Sequence, residues 1–523
     1  MSPNNDLFIA RRANLGDITR RGARRHGRKT ALVMGQRKLT YGELNDQANR
    51  LAQGMLRHGL GQGVRVAVLA RNSIEFMVLY FACAKAGAVM CPANPDLPDK
   101  DIAFILNHAE VAALFVDEDR ADQLAFVALQ VPTIRQVYVL ERRGPTGLPS
   151  LDDLSCGMEA RDPELPTGDR DIAMVMYTSG TTSAPKGAML SHTNVVAGAV
   201  NNAFAGEMHD NTIATAILPL FHCGQLSITS GTLMRGGTAV IMDGFDAKAL
   251  LQAMRQEQIT WMFALPAMYR SLLAEPGLQD DDFSSLEFCL YAMTPMDSHT
   301  LRYAIERMGA RFALTSGQTE VYPPTVVFTP EYQLSKAGAY WGRATPLTEV
   351  AIMDDVGHLV EDGQVGEIVY RGPMVMEGYL KDPEATLQAF SGGWFHSGDL
   401  GRFDQDDLLL FVDRKKDIIK SGGENVSSVK VERCLLAHPT ISAAAVVGVP
   451  HPRWGEAVVA AVVVAPGAQF DEQMVKDFCK GQLAPHEVPK RLVTYLEMPT
   501  TSTGKMQKFA LRKDLFDLFA SEG

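Results

Sequence analysis

Short apolar runs alternate with helical stretches through most of the N-terminal part of this chain, and that alternation limits the fold more than any other feature. Val64–Leu69 reads as a strand, Ser73–Gly87 as a helix capped by Ser73, Val89–Cys91 as a strand, Asp101–His108 as a helix and Val111–Val116 as a strand. Repeated β-α-β patterning implies a parallel sheet with helices on both faces. A further strand, Ile172–Met176, follows. The rhythm resumes with strands at Thr212–Leu218, Thr238–Met242, Ile259–Phe263 and Phe288–Tyr291, separated by helices at Gln225–Met234, Ala247–Gln258 and Pro266–Leu273. Helix Asp297–Met308 and strand Arg311–Leu314 then lead into a polar loop.

From about Thr345 the spacing shortens to strands and turns, as in Val350–Met353, Gly366–Tyr370 and Leu408–Val412, which predicts a β-rich subdomain. Beyond Asp413 the mixed pattern returns, with helices at Ser428–Ala437 and Asp471–Gln482 and strands at Ala443–Val449 and Ala457–Val464. A chain of 523 residues exceeds one ordinary core. The expected fold is therefore α/β: a large N-terminal domain of stacked, mostly parallel sheets with a β-rich subdomain, over 1–413, and a small α+β C-terminal domain over 414–523.

Composition narrows the function. The net charge of −11 argues against a general nucleic-acid binder, whose phosphate contacts need a basic face. Seven scattered cysteines lack the spacing of a zinc site and suit a reducing cytoplasm. No apolar run is long enough for a transmembrane segment, and no signal core opens the chain. Arginines 11, 12, 20, 21, 24, 25 and 28 read as a solvated helix face, because aspartates interrupt them.

The apolar run Ile172–Met176 feeds the loop Tyr177-Thr178-Ser179-Gly180-Thr181-Thr182-Ser183-Ala184-Pro185-Lys186-Gly187. Hydroxyls and backbone N–H groups can surround anionic oxygens there, Gly180 and Gly187 allow close backbone approach, and Lys186 adds positive charge. It is not a Walker loop, since the lysine precedes the second glycine. Taken alone it reads first as an ordinary surface turn and second as a phosphate loop. Four further polar clusters fall at strand ends or turns: Thr315-Ser316-Gly317-Gln318-Thr319-Glu320; Trp394-Phe395-His396-Ser397-Gly398-Asp399; Asp413-Arg414-Lys415-Lys416 through Gly422-Gly423-Glu424-Asn425; and Thr501-Ser502-Thr503-Gly504-Lys505. Ligands of parallel sheets collect beyond strand carboxyl ends, where the first of these loops lies. A nucleotide needs this mixture: aspartate for ribose hydroxyls, Glu320 for magnesium, arginine and lysine for phosphate.

In this order and spacing the clusters resemble the adenylate-forming (AMP-binding) superfamily, and within it the acyl-CoA synthetases. The resemblance runs from Thr40-Tyr41-Gly42-Glu43-Leu44 to Lys505. It implies a mobile C-terminal domain hinged near Lys416. It also implies that Thr178 to Lys186, with Ser179, Gly180, Thr181 and Thr182, hold the pyrophosphate end of ATP; that Thr319, beside Gly317 and Gln318, meets the α-phosphate; and that Glu320 binds magnesium. Asp399 and Arg414 would take the ribose, Lys505 would be the catalytic lysine, and Gly422 and Gly423 would line the channel for coenzyme A. His222, in Pro219-Leu220-Phe221-His222-Cys223-Gly224, matches a position beside the acyl carboxylate. Each residue has an ordinary rival role: Asp399 a turn aspartate, Lys505 a tail lysine, His222 a satisfied core side chain.

The implied reaction is ATP-dependent activation of a small-molecule carboxylic acid through acyl-AMP, then transfer to CoA. The segments expected to wall the acyl site, Phe221–Gly231 and Val321–Val327, lack lysine and arginine, which suits an apolar tail. Medium- or long-chain fatty acids stand first, aryl or cinnamate-type acids second, and a non-catalytic nucleotide-binding member of the family is the reading from another class. A homodimer is compatible with the resemblance. Two departures stand out: Ser183 replaces a usual glycine, and Ser316 stands where an aromatic residue commonly stacks on adenine. Tyr291-Ala292-Met293-Thr294-Pro295-Met296 departs from a Gly-Ala-Pro pattern as well.

Overall fold

The structure is a computed structural model, and it describes residues 3–142, 144, 147–178, 185–292, 296–500 and 506–520. Two compact units emerge. Pro185–Val350 and Tyr370–Phe395 join the N-terminal part of the chain in the first; Ala351–Val369 joins His396 onwards in the second.

The first unit is built on two sheets. In one, the strands run in the order Gly378–Tyr379, Lys186–Ser191, Ile172–Thr178, Val89–Pro92, Arg65–Leu69, Ala113–Val116, Gln136–Val139. From Ile172–Thr178 to Gln136–Val139 the pairs are parallel, as in Val66↔Met90 and Val66↔Ala113. Val89–Pro92 and Ala113–Val116 are buried at every residue, as strands covered on both faces must be. In the other sheet, Arg311–Ser316, Phe288–Ala292, Trp261–Ala264, Ile213–Ala216, Thr238–Ile241 and Thr30–Met34 lie side by side in parallel, and antiparallel strands flank them. Helix Ile74–Ala86 is apolar all round and buried at nearly every position, as expected of a helix enclosed by protein rather than lying on a surface. Its Tyr80 hydroxyl meets Ser230 Oγ, 3.1 Å away on helix Cys223–Met234.

The α/β reading thus holds, with strand and helix ends displaced by a residue or two from the sequence expectations. The stretch after the phosphate-type loop differs in kind. Lys186–Ser191 is a strand antiparallel to Ile172–Thr178, so the loop joins the arms of a hairpin, and helix His192–Ala205 begins only afterwards behind a Ser191–Asn194 capping box. Of the N-terminal arginines, 21, 24, 25 and 28 are exposed, but Arg12 is buried against Asp17 at 2.8 Å.

Strands Glu349–Met353, Gly366–Arg371, Phe395–Phe403 and Leu409–Arg414, which lie for the most part in the second unit, are successive neighbours in a sheet. A separate sheet forms from Ile419–Ser421, Glu424–Val426, the long hairpin Ile441–His451/Gly455–Val464, and Arg491–Thr494 in parallel beside it. Val446, Val458, Ala460 and Val462 are fully buried and pack with Val431 and Leu435 of helix Ser428–Leu436. All seven cysteines are free. No helix among the described residues is long and apolar enough to cross a membrane.

Candidate active site

The base of the phosphate-type loop is fixed by strand pairing. Thr178 stands opposite Lys186, and Thr178 Oγ1 reaches the Lys186 carbonyl at 3.5 Å. Gly187 stands opposite Tyr177, and the space a side chain would need is filled by Val175 and the Tyr177 ring. Its missing side chain therefore serves the packing of the hairpin. Ser179, Gly180, Thr181, Thr182 and Lys505 lie outside the described residues.

Lys186 is tied to a residue that sequence reasoning missed. Its ammonium lies 4.9 Å from the centre of the Tyr379 ring. The Tyr379 hydroxyl donates to Glu320 Oε1 at 3.0 Å. Burial, together with the neighbouring Glu320 carboxylate, pushes the Tyr379 pKa up, so the phenol stays a neutral donor. Tyr379 belongs to the two-residue strand Gly378–Tyr379, which pairs with Lys186–Ser191. The sequence signal was slight: an aromatic residue behind a glycine in a stretch too short to show a period.

Strand Arg311–Ser316 ends at Gly317-Gln318-Thr319-Glu320, beyond its carboxyl end. Only glycine fits at 317, because a Cβ there would come within 2.5 Å of Pro323 Cβ. Thr325 N donates to Ser316 O at 3.0 Å, and Met376 N to Glu320 O at 2.8 Å, which holds the loop at both ends. Thr319 Oγ1 lies 3.6 Å from Cys223 Sγ, so the loop meets the start of helix Cys223–Met234. His222 is the N-cap of that helix. Its Nδ1 accepts from Gly224 N at 3.2 Å, which leaves the ring proton of the neutral imidazole on Nε2. His222 is exposed. It is thus an exposed helix cap, not a buried core side chain.

Among the described residues no group of three or more His, Cys, Asp or Glu could by itself hold a metal ion. Glu320 is a single carboxylate on a loop, a donor set that fits magnesium, which keeps its waters and takes one or two carboxylates together with substrate phosphates.

The second unit carries the other residues. Asp399 and Arg414 are cross-strand partners in the hairpin Phe395–Phe403/Leu409–Arg414, with Arg414 Nε 3.6 Å from Asp399 Oδ1 and Asp399 only 5% exposed. Asp413, one residue before Arg414, turns away: its Oδ2 accepts from Ser428 Oγ at 2.8 Å. Lys416 is exposed, and its carbonyl accepts from Arg512 at 3.5 Å. Gly422 and Gly423 form the turn between Ile419–Ser421 and Glu424–Val426, with φ of +63° and +90°; two successive positive values demand glycine whatever the turn binds. The predicted nucleotide residues therefore fall into two sets, one in each unit.

Two family models match the chain, and Asp399, Arg414, Lys416, Gly422 and Gly423 fall between the two matches. The family model described as AMP-binding enzyme matches residues 19–380, and that of the AMP-binding enzyme C-terminal domain matches residues 430–505. A feruloyl-CoA synthase of Amycolatopsis is 36% identical over 505 residues, covering 96% of this chain and 99% of its own. A long-chain-fatty-acid–CoA ligase of Mycobacterium tuberculosis is 32% identical over 479 residues, covering 91% and 93%. The crystal structure of ATP-bound MatB from Rhodopseudomonas palustris superimposes with a TM-score of 0.89 at 29% identity, covering 97% of this chain and 100% of that one. With the fold, the phosphate-type hairpin and these matches in agreement, the chain belongs to the AMP-binding enzyme family, as an acid–thiol ligase that makes acyl-CoA through an acyl-adenylate with ATP, magnesium and coenzyme A.

Proposed function

We propose that the acid is an aryl-substituted monocarboxylic acid of cinnamate type. The observation that carries this reading is the surroundings of Gly224: a side chain there would touch His222 Nδ1 at 3.6 Å and Phe263 Cε1 at 3.9 Å, so the absent side chain leaves room bordered by an aromatic ring beside the position assigned to the carboxylate. The absence of lysine and arginine from Phe221–Gly231 and Val321–Val327 agrees with it, as does the higher identity to a feruloyl-CoA synthase than to a long-chain fatty-acid ligase. The same apolar walls keep fatty acids, first in the sequence reading, as the second candidate.

In this reading the substrate carboxylate attacks the α-phosphorus of ATP and pyrophosphate leaves, giving acyl-AMP, from which the CoA thiol later displaces AMP with loss of the thiol proton; charge repulsion is the first obstacle. Lys186, with Thr178, Ser179, Gly180, Thr181 and Thr182, cradles the pyrophosphate end. Thr319, beside Gly317 and Gln318, donates to the α-phosphate. Glu320, steadied by Tyr379, would hold magnesium, which supplies charge neutralisation when bound. His222 donates from Nε2 to the acid. Asp399 accepts from the ribose hydroxyls while Arg414 holds it in place. Lys505 serves as a fixed cation that bridges the carboxylate and phosphate oxygens. Catalysis of this kind is positioning and electrostatics. We place the functional boundary between residues 413 and 414, with Lys416 as the hinge about which the C-terminal part moves between half-reactions, exchanging Lys505 for the Gly422–Gly423 turn.

ATP–pyrophosphate exchange across a panel of cinnamate-type, benzoate-type, medium-chain and long-chain acids, followed by CoA addition, tests the proposal. Exchange led by the cinnamate-type acids supports it. Exchange led by octanoate or palmitate replaces it with the fatty-acid reading.

A further inference from the structure

We propose that Glu367 is a positioning residue for nucleotide recognition: it sets the Gly398 turn and thereby holds Asp399 where the ribose hydroxyls must be read. The inference rests on the reading of Asp399 and Arg414 as ribose residues, and it adds a group to which neither motif nor chemistry had drawn attention.

Glu367 lies on strand Gly366–Arg371, is 9% exposed, and gathers three donors. Gly398 N donates to Oε1 at 3.0 Å, His396 Nδ1 lies 3.2 Å from Oε2, and Lys415 Nζ reaches Oε2 at 3.4 Å. The donors come from the residues on either side of the Asp399–Arg414 pair. His396 and Gly398 precede Asp399, and Lys415 follows Arg414. Lys415 N also donates to Gly398 O at 2.8 Å, so both main-chain groups of Gly398 are held, one by Glu367 and one by the neighbouring strand.

That double hold has a conformational purpose. Gly398 has φ of +73°, a left-handed value that the extended strand around it does not favour, and it falls immediately before Asp399. A main-chain N–H pointed at a buried carboxylate makes a charge-assisted bond, stronger than one between neutral groups. Ser397 Oγ adds an anchor on Ile368 O at 2.5 Å, the residue after Glu367. Without the carboxylate, the Gly398 peptide can turn over, and the Asp399 side chain turns with it. Lys415, which also pairs with Asp355 at 2.9 Å, secures the second oxygen of Glu367 from a residue next to the proposed hinge.

The test compares ATP with 2′-deoxy-ATP and 3′-deoxy-ATP in pyrophosphate exchange with the full-length enzyme. Glu367→Gln keeps the size of the side chain but removes the charge and presents an amide where Lys415 and His396 need an acceptor. The expected result is a rise of about tenfold in KM for ATP, with kcat within about twofold, KM for the acid unchanged, and a preference for ATP over the deoxynucleotides reduced toward one. Glu367→Asp, one methylene shorter, keeps the charge near Lys415 and His396 but withdraws it from Gly398 N. It should lose the same preference, and it serves if the glutamine variant does not fold. Retention of the full preference by either folded variant, or an equal fall in kcat for ATP and the deoxynucleotides, would overturn the proposal. Asp399→Asn separates the two readings. If that variant also keeps the full preference, the ribose does not lie at Asp399; if it loses the preference while the Glu367 variants keep it, only the role of Glu367 fails.

Discussion

Two antiparallel hairpins carry most of the predicted nucleotide residues, and they use their cross-strand pairs differently. Thr178 and Lys186 stand opposite each other at the base of the phosphate-type loop, yet their side chains do not pair: the hydroxyl turns to a carbonyl and the ammonium lies over Tyr379. Asp399 and Arg414 also stand opposite each other, and there the side chains form an ion pair at 3.6 Å around a buried carboxylate. A lysine held by a neutral ring keeps its charge for an incoming anion. An arginine held by a buried aspartate gives part of its charge to the fold. Activity and stability should therefore separate in the first hairpin and move together in the second.

Lys186→Met gives the largest expected effect. Loss of one fixed cation from a phosphate site should lower kcat/KM for ATP in pyrophosphate exchange by about 10²- to 10³-fold, while stability to urea changes by less than about 0.5 kcal/mol. A matching loss of stability would erase the contrast. Arg414→Met should lower both: about tenfold to a hundredfold in kcat/KM for ATP, and about 1–3 kcal/mol in stability, because the cation beside a buried carboxylate is gone. If chemical denaturation of that variant matches the wild type, the pair is no more structural than the first. Tyr379→Phe is smaller. It removes one hydrogen bond to Glu320 and should weaken exchange about five- to tenfold at limiting magnesium, with recovery as magnesium rises. An unchanged magnesium dependence would remove Tyr379 from the site.

Alternation of apolar runs placed many of the parallel strands, because a strand buried on both faces writes its burial directly into sequence. Val89–Pro92 and Ala113–Val116 are of that kind. The alternation passed over Thr30–Met34, Gln136–Val139 and the helix Tyr41–Arg57. Lys186–Ser191 was not legible as a strand: it opens with lysine and glycine, and its partner lies across a loop whose length says nothing about register. Glu367 was invisible for a different reason. Its three donors are 29 or more residues away along the chain, and only the sheet brings them together. Asp399 and Arg414 were legible as motif residues, but their pairing depends on an antiparallel register with a shift between Leu400 and Gly401 that no local pattern fixes. The flanking apolar residues of His222 suggest a satisfied core side chain as well as a binding role; its exposure and its capping bond follow from where helix Cys223–Met234 begins.

The last predicted effect examines what a cation does for a carboxylate by turning to a half-buried one, Asp117, whose neighbouring cation is engaged with another carboxylate. Asp117, after strand Ala113–Val116, accepts the main-chain amide of Arg71 at 2.8 Å, while the Arg71 guanidinium pairs with Asp119 at 3.3 Å. Burial is the largest influence on Asp117 and pushes its pKa from 3.8 up to about 6, against the smaller opposing pull of the Arg71 amide. A folded pKa above the unfolded one means that the folded state holds the proton more tightly. Its favourable contribution is complete below pH 3.8 and is lost as pH rises through about 6. Asp117→Asn keeps an acceptor for the Arg71 amide and cannot ionise. It should be more stable than wild type by about 1–2 kcal/mol at pH 8, less than the full shift implies because water reaches part of the group, with the advantage shrinking to nothing near pH 4. Urea titrations at the two pH values measure the difference. A gain equal at both would assign it to packing, and no gain at pH 8 would mean that the Arg71 amide and the more distant Arg71 charge shelter the Asp117 carboxylate well enough, which would weaken the claim that Asp399 depends on a directly paired Arg414 for the same service.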